Sequence, residues 1–104
     1  MTVRLPQSLG NQVGSASGPS PLERELMGEK IASLGRAGRL VQQRLKELGS
    51  LQRHDAGRPA AVRSAADAVQ SYFVQRELCG LVNHDRPIAD YAIPAEVLAH
   101  LGAV

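Results

Sequence analysis

A regular spacing of apolar and small residues constrains the fold of this chain more than any other feature. Along one segment these residues recur at alternating intervals of four and three positions. The series consists of Met27, Ile31, Leu34, Gly38, Val41, Leu45 and Leu48. This spacing keeps a single stripe along one face of a helix. The segment is therefore predicted to be a helix that packs against another helix.

Capping residues indicate where this first helix begins and ends. Ser20 offers an N-cap hydroxyl, Pro21 suits the first helical position, and Glu23 lies three residues after Ser20. Together they have the pattern of a capping box. The helix is predicted to run to about Leu48, where Gly49 ends it before a polar turn.

A second helix is predicted from Pro59 to Cys79, ending at Gly80. Its apolar face comprises Val62, Ala65, Ala66, Val69, Tyr72, Phe73 and Cys79. The short polar connection makes the two helices antiparallel neighbours. If residue 49 lies level with residue 59, the side chains of Val69 and Phe73 fall near Gly38 and Gly35.

The remaining segment contains Pro87 and Pro94, each of which can open a short helix but not occupy the interior of one. Its apolar residues are sufficient to cap one end of the hairpin. The fold class is therefore all-α: a long antiparallel helical hairpin capped by short C-terminal helices. Residues 1–20 lack a sustained period and are predicted to be a flexible tail, and residues 21–104 a single helical domain.

The composition predicts a small core that benefits from self-association. Only three residues are aromatic, namely Tyr72, Phe73 and Tyr91, so the interior is built mainly from Leu, Val, Ile and Ala. Cys79 is the only cysteine, which excludes an intrachain disulfide and favours a reducing compartment. We therefore expect a homodimer that resembles a four-helix bundle.

The same features predict a cytoplasmic location. The first residues lack the continuous apolar stretch of a signal peptide, and no segment has the roughly twenty apolar residues that span a bilayer. We therefore expect neither export nor membrane insertion.

The expected dimer interface combines the helical stripe with a second row of small residues, Gly28, Ala32 and Gly35. Its predicted members are Met27, Gly28, Ile31, Ala32, Leu34, Gly35, Gly38 and Val41. Glycine inside a helix costs about 1 kcal/mol relative to alanine, so a close packing contact would compensate for it. The small row either relieves crowding beside a neighbouring part of the same chain or forms a second packing surface for a partner.

Cys79 is the obvious candidate for a nucleophile, because His84, Asp85 and His100 follow it closely. However, it falls in the last turn of the second helix, whereas activated cysteines favour helix N-termini. Its heptad relation to Tyr72 also places it on the packed face. Cys79 is therefore predicted to be a buried structural thiol.

The same residues do not have the spacing of a metal site. Cys79, His84 and His100 could supply ligands, with Asp85 or Asp90 as a fourth, but no CxxC or HxxxH pair places two ligands on one element. No metal, no cofactor and no catalytic group is expected.

The other polar residues near these helices have structural interpretations. His84 and Asp85 are assigned to loop and cap interactions, and His100 complements the dipole at the end of a short helix. His54 and Asp55 belong to the polar turn and are predicted to face water. Arg76, on the apolar face, is predicted to meet a carboxylate such as Glu25 or Glu29.

Charge is unevenly distributed along the chain, although the net charge is only +2. The first helix is the basic part, with Lys30, Arg36, Arg39, Arg44, Lys46 and, in the turn, Arg53. These side chains spread over the face away from the apolar stripe and are interrupted by glutamates. No aromatic residue lies among them for stacking on bases. The pattern argues against nucleic-acid binding.

Three strings of residues resemble a known family. They are EKIASLGRAGR in the first helix, YFVQRELCGL at the end of the second, and IADYAIPAEVLAHLG near the C-terminus. Together they are similar to a small bacterial domain of unknown function about as long as this chain. The resemblance covers most of residues 21–102. It implies a short helical protein of the bacterial cytoplasm and supplies no activity, cofactor or catalytic residue.

The sequence therefore favours a non-enzymatic interaction or oligomerisation protein. Two alternatives from other classes remain open. One is a small regulator that contacts nucleic acid through the basic face of the first helix. The other is an enzyme that acts on a small molecule in the region of Cys79, His84, Asp85 and Tyr91.

Overall fold

The structure is a computed structural model that describes residues 18–102. Within that range all regular secondary structure is helical. The helices are α1 (Pro21–Gly49), α2 (Arg58–Leu78), α3 (Asp85–Asp90) and α4 (Ala95–Leu98). The all-α prediction is confirmed. Most of the predicted tail, residues 1–17, lies outside the described residues.

The start of α1 has the predicted capping box. The Glu23 backbone N–H donates to Ser20 Oγ at 3.1 Å, and the Ser20 backbone N–H donates to Glu23 Oε1 at 2.7 Å. Each residue thus satisfies a backbone donor that the helix leaves unpaired. The bond from the Ser20 backbone N–H favours the charged carboxylate and lowers the pKa of Glu23.

The end of α2 is a Schellman motif. Gly80 adopts a φ of +85°, the left-handed region that glycine enters without strain. The backbone N–H of Gly80 donates to Glu77 O, and that of Leu81 donates to Arg76 O, both at 2.9 Å. Gly80 therefore ends the second helix as predicted.

The chain divides into two units, residues 1–31 and residues 32–104. The described hydrophobic core belongs to the second unit. Its buried members are Val41, Leu48, Val62, Ala65, Ala66, Ala68, Val69, Tyr72, Phe73, Ile93 and Val97. They come from the second half of α1, from α2 and from the C-terminal segment. The predicted hairpin and its C-terminal cap are therefore both present in this unit.

The predicted register of the two long helices is correct to within about one turn. Placing residue 49 level with residue 59 also places residue 33 level with residue 75, and Ser33 Oγ donates to Gln75 Oε1 at 3.0 Å. The atoms nearest to a Cβ placed on Gly38 belong to Tyr72 and Tyr91. The expected position of Val69 near Gly38 stays a prediction.

The two prolines of the C-terminal segment take different positions. Pro94 precedes α4 as its N-cap residue, as expected. Pro87 instead occupies the third position of α3 and is buried. The prediction that Pro87 opens the helix was therefore off by two residues. The first turn tolerates it because the backbone N–H groups there have no partner inside the helix.

No helix in the described part of the chain is long and apolar enough to cross a bilayer.

Candidate functional site

The most distinctive polar cluster forms where Tyr91, just after α3, meets α1 and α2. The rings of Tyr91 and Tyr72 lie edge to face, with centroids 5.6 Å apart. A Cβ atom placed on Gly38 would come within 2.7 Å of the Tyr91 hydroxyl oxygen. Only a residue without a side chain fits there, so Gly38 makes room for this hydroxyl.

A shallow cavity of about 420 Å³ adjoins these tyrosines. It is lined by Gln42, Tyr72, Arg76, Arg86, Pro87, Asp90 and Tyr91. Burial, followed by the neighbouring Tyr72 side chain, raises the pKa of Tyr91. Burial thus favours the neutral phenol form of Tyr91.

His84 has a partner on each ring nitrogen and on one ring face. Arg76 Nε donates to His84 Nδ1 at 3.1 Å, and His84 Nε2 lies 2.9 Å from Glu77 Oε2. Because Nδ1 is the acceptor, the proton of the neutral ring belongs on Nε2, where it points to Glu77. The ring also stacks on Phe73, with centroids 4.1 Å apart. His84 is the N-cap residue of α3, but its side chain makes no capping hydrogen bond there and contacts the end of α2 instead.

The described partners of Arg76 lie in the loop after α2, and its pairing with Glu25 or Glu29 stays a prediction. Its guanidinium donates to His84 and, at 2.8 Å, to the backbone carbonyl of Asn83. The loop after α2 folds back by a Schellman turn and brings these acceptors to Arg76. Arg76 is thus paired with a nearby loop, a contact that helical periodicity does not reveal.

The predicted burial of Cys79 was wrong, because Cys79 is exposed. It is the C-cap residue of α2, one position beyond the last helical residue, Leu78. Leu78, Leu81 and Val82 around it are exposed as well, so this end of the helix has no described cover. Cys79 lies seven residues after Tyr72, as the heptad relation states, but Tyr72 is buried and Cys79 is exposed.

The residues considered as metal ligands do not come together. Among residues 18–102 no group of three or more His, Cys, Asp or Glu side chains has a geometry suited to a metal ion. His100 Nδ1 lies 2.9 Å from the Glu96 carbonyl at the end of α4, the position expected from the helix dipole. His54 and Asp55 are exposed in the turn, as predicted.

An ion pair that the sequence did not reveal joins the start of α2 to α4. The Arg58 guanidinium binds the Glu96 carboxylate through Nε, at 3.3 Å, and through Nη2. Arg58 Nη1 also donates to the Leu51 carbonyl at 3.0 Å. Hydrogen bonding from Arg58 lowers the pKa of Glu96. The only sequence signal was an arginine at the start of one helix and a glutamate in another, which does not specify a pair.

Among the described residues of the first unit, α1 exposes several large apolar side chains. All residues from 18 to 32 are exposed. The exposed fractions are 64% for Leu22, 55% for Leu26, 52% for Met27 and 63% for Ile31. Four large apolar side chains within ten residues are therefore left in water.

The predicted interface residues fall into three groups. Met27, Gly28, Ile31 and Ala32 are exposed. Leu34 and Gly35 are half-buried. Gly38 and Val41 are buried in the core of the hairpin. No described contact tests any of the eight residues as an interface, and their role in one stays a prediction.

These features define a class: a small all-helical protein with a hairpin core, a shallow polar cavity and an exposed apolar helix segment. A family model described as "Family of unknown function (DUF6665)" matches residues 1–104. The chain belongs to this family, which confirms the resemblance to a domain of unknown function. No curated protein and no solved structure is significantly similar to it.

Proposed function

We propose that this protein is a non-enzymatic interaction protein that self-associates through the first half of α1. The observation that carries the proposal is the exposure of Leu22, Leu26, Met27 and Ile31, each more than half accessible to solvent. Contiguous apolar surface of this kind marks interaction sites in soluble proteins. We further propose the bacterial cytoplasm as its location, because a single cysteine suits a reducing compartment.

The energetics favour a partner for this segment. Tertiary packing supplies most of the stability of helices in proteins, and residues 21–32 of α1 are all exposed. Full burial of one large apolar side chain contributes roughly 1.5–3 kcal/mol. Several such side chains from each of two chains approach the estimated 4–15 kcal/mol cost of association. Residues 18–32 are all exposed in the single chain. A second copy would stabilise this part of the helix by covering its apolar side chains.

Mass in solution tests the proposal. Sedimentation equilibrium from about 1 to 100 µM should show a concentration-dependent dimer, and Leu26→Glu should shift it to monomer. Val82→Glu is the matched control, because Val82 is an exposed apolar residue in the second unit, 75% accessible. A wild-type protein that stays monomeric at 100 µM would overturn the proposal.

Nucleic-acid contact through α1 is the second candidate. Arg36 and Arg39 are exposed, and neither belongs to an ion pair among the described residues. Arg44, by contrast, pairs with Glu47 at 2.9 Å. If this function is correct, binding to random-sequence DNA should weaken steeply with salt, and Arg36→Gln with Arg39→Gln should reduce it. No binding at 50 mM salt would exclude this candidate.

A further inference from the structure

We propose that the second copy binds the first half of α1 in an antiparallel orientation, about a twofold axis between Leu26 and Met27. The inference rests on the proposed function and adds the orientation and register of the pair. It is carried by the arrangement of apolar and charged side chains on residues 22–31, all of which are exposed.

The apolar side chains of this segment form two rows with a line of charge between them. Glu23 and Lys30 are seven residues apart, which is about two turns, so they lie on one line along the helix. Leu22 and Leu26 form a row on one side of that line. Met27 and Ile31 form the corresponding row on the other side. The exposed face thus presents a carboxylate and an ammonium group at the two ends of an apolar patch.

Neither central charge is neutralised within its own helix. Glu23 has no lysine or arginine three or four residues away, and Lys30 has no acidic residue at those distances. Neither takes part in an ion pair among residues 18–102. Glu23 uses Oε1 for the capping box, and its Oε2 makes no described hydrogen bond, so that oxygen can accept from another chain.

These charges select the antiparallel orientation. In a parallel pair, Glu23 would lie level with Glu23 of the second copy and Lys30 with Lys30, and both contacts would be repulsive. With the twofold axis between Leu26 and Met27, Glu23 instead lies level with Lys30 of the second copy, on both sides of the axis. Shifts that move the axis to residue 23 or residue 30 pair like charges again. Charge complementarity therefore favours a single register.

The same axis brings like apolar rows together. Leu26 lies beside Leu26 of the second copy, and Met27 lies beside Met27 of the second copy. Leu22 and Ile31 cover the edges. The contact is isologous, so it closes as a dimer and does not extend into a filament. Gly28 and Ala32 lie on the opposite face of the helix and stay outside this interface.

Charge reversal at position 30 tests the orientation. In the antiparallel pair, Lys30→Glu places a carboxylate level with Glu23 of the other chain at both ends of the interface. This change should raise the dimer Kd by about tenfold, and Lys30→Gln should give a Kd between that of Lys30→Glu and that of the wild type. Combining Glu23→Lys with Lys30→Glu should recover affinity relative to Lys30→Glu alone. Lys46→Glu is the control, because it makes the same charge change at an exposed position of the second unit.

Cysteine cross-linking tests the face. In a Cys79→Ser background, Leu26→Cys should form a disulfide-linked dimer rapidly, whereas Ala32→Cys should not. Equal cross-linking at both positions would overturn the proposed face. If Leu26→Glu abolishes the dimer but Lys30→Glu weakens it no more than Lys46→Glu, the antiparallel register is wrong and the self-association stands. A monomeric wild type would overturn both.

Discussion

Among the glycines of α1, Gly38 has the least room for a side chain. An added Cβ would approach the Tyr91 hydroxyl oxygen to 2.7 Å and Tyr72 Cε1 to 3.4 Å. Both neighbours are aromatic side chains that pack on the core, so neither moves without loss of contacts. The absence of a side chain at Gly38 is thus what allows the C-terminal segment to dock on the hairpin.

We expect Gly38→Ala to lower the free energy of unfolding by about 1–3 kcal/mol, the usual cost of overpacking. Gly28→Ala is the matched control in the same helix, because an added Cβ there meets nothing within 4 Å. It should be neutral or stabilise by up to about 1 kcal/mol. Tyr91→Phe in the Gly38→Ala background should recover part of the loss, since it removes the clashing oxygen. Urea denaturation of the three variants checks this, and equal stability of Gly38→Ala and Gly28→Ala would contradict it.

Cys79 is exposed, and this reverses the expectation for its reactivity with thiol reagents. We expect a small reagent to label the native protein at the same rate as a short cysteine peptide, to within about tenfold. Cys79→Ser should change stability by less than about 0.5 kcal/mol, as for a surface substitution. Labelling that requires denaturant would show that another chain covers the end of α2.

At the scale of elements, Arg58 holds three parts of the second unit together. It lies at the start of α2, binds Glu96 in α4 and donates to the carbonyl of Leu51 in the turn. A guanidinium that binds a carboxylate with two nitrogen atoms is oriented as well as attracted. This pair therefore fixes where α4 packs against α2.

The Arg58–Glu96 pair predicts a pH dependence of stability. The pKa of Glu96 is lowered from its usual 4.5 in the folded state, so the pair stabilises the fold above that pH. Its contribution decreases as the pH falls below 4.5 and is lost once the pH has passed through the lowered pKa. Glu96→Gln should therefore be less stable than the wild type at pH 7, and the difference should shrink on acidification.

Thermal melts of both proteins across this pH range make the measurement. Asp90→Asn is the control, because Asp90 pairs with Arg86 at 3.5 Å between two exposed side chains. Such pairs contribute little, so this variant should follow the wild type. A wild-type advantage over Glu96→Gln that persists unchanged at pH 3 would contradict the assignment.

At the scale of the whole molecule, the described core is confined to residues 32–104. Removal of residues 1–18 is therefore expected to leave the melting midpoint within a few degrees of the full-length value. We expect this result because the sequence of this segment has neither a helical period nor an apolar stripe. Differential scanning calorimetry at one fixed protein concentration checks it. A larger drop would show that the segment stabilises the folded chain.

The sequence alone determined the elements of this protein, because their signals are local. The capping box at Ser20 and Glu23, the glycine at position 80 and the spacing of the apolar residues each act within a few positions of the chain. These signals predicted the helix ends to within one residue for both long helices. They also predicted the hairpin, since a short polar turn leaves two helices little choice but to lie antiparallel.

The tertiary structure alone decided which side chains meet and which remain in water. Tyr91 reaches Gly38, Arg76 binds the loop at His84, and Arg58 binds Glu96, all through contacts between segments that periodicity cannot align. The apolar spacing is the same at Ile31 and Val41, yet Ile31 is exposed and Val41 is buried. Periodicity identifies the face of a helix that can be buried. Only the position of the other elements decides how much of that face is covered.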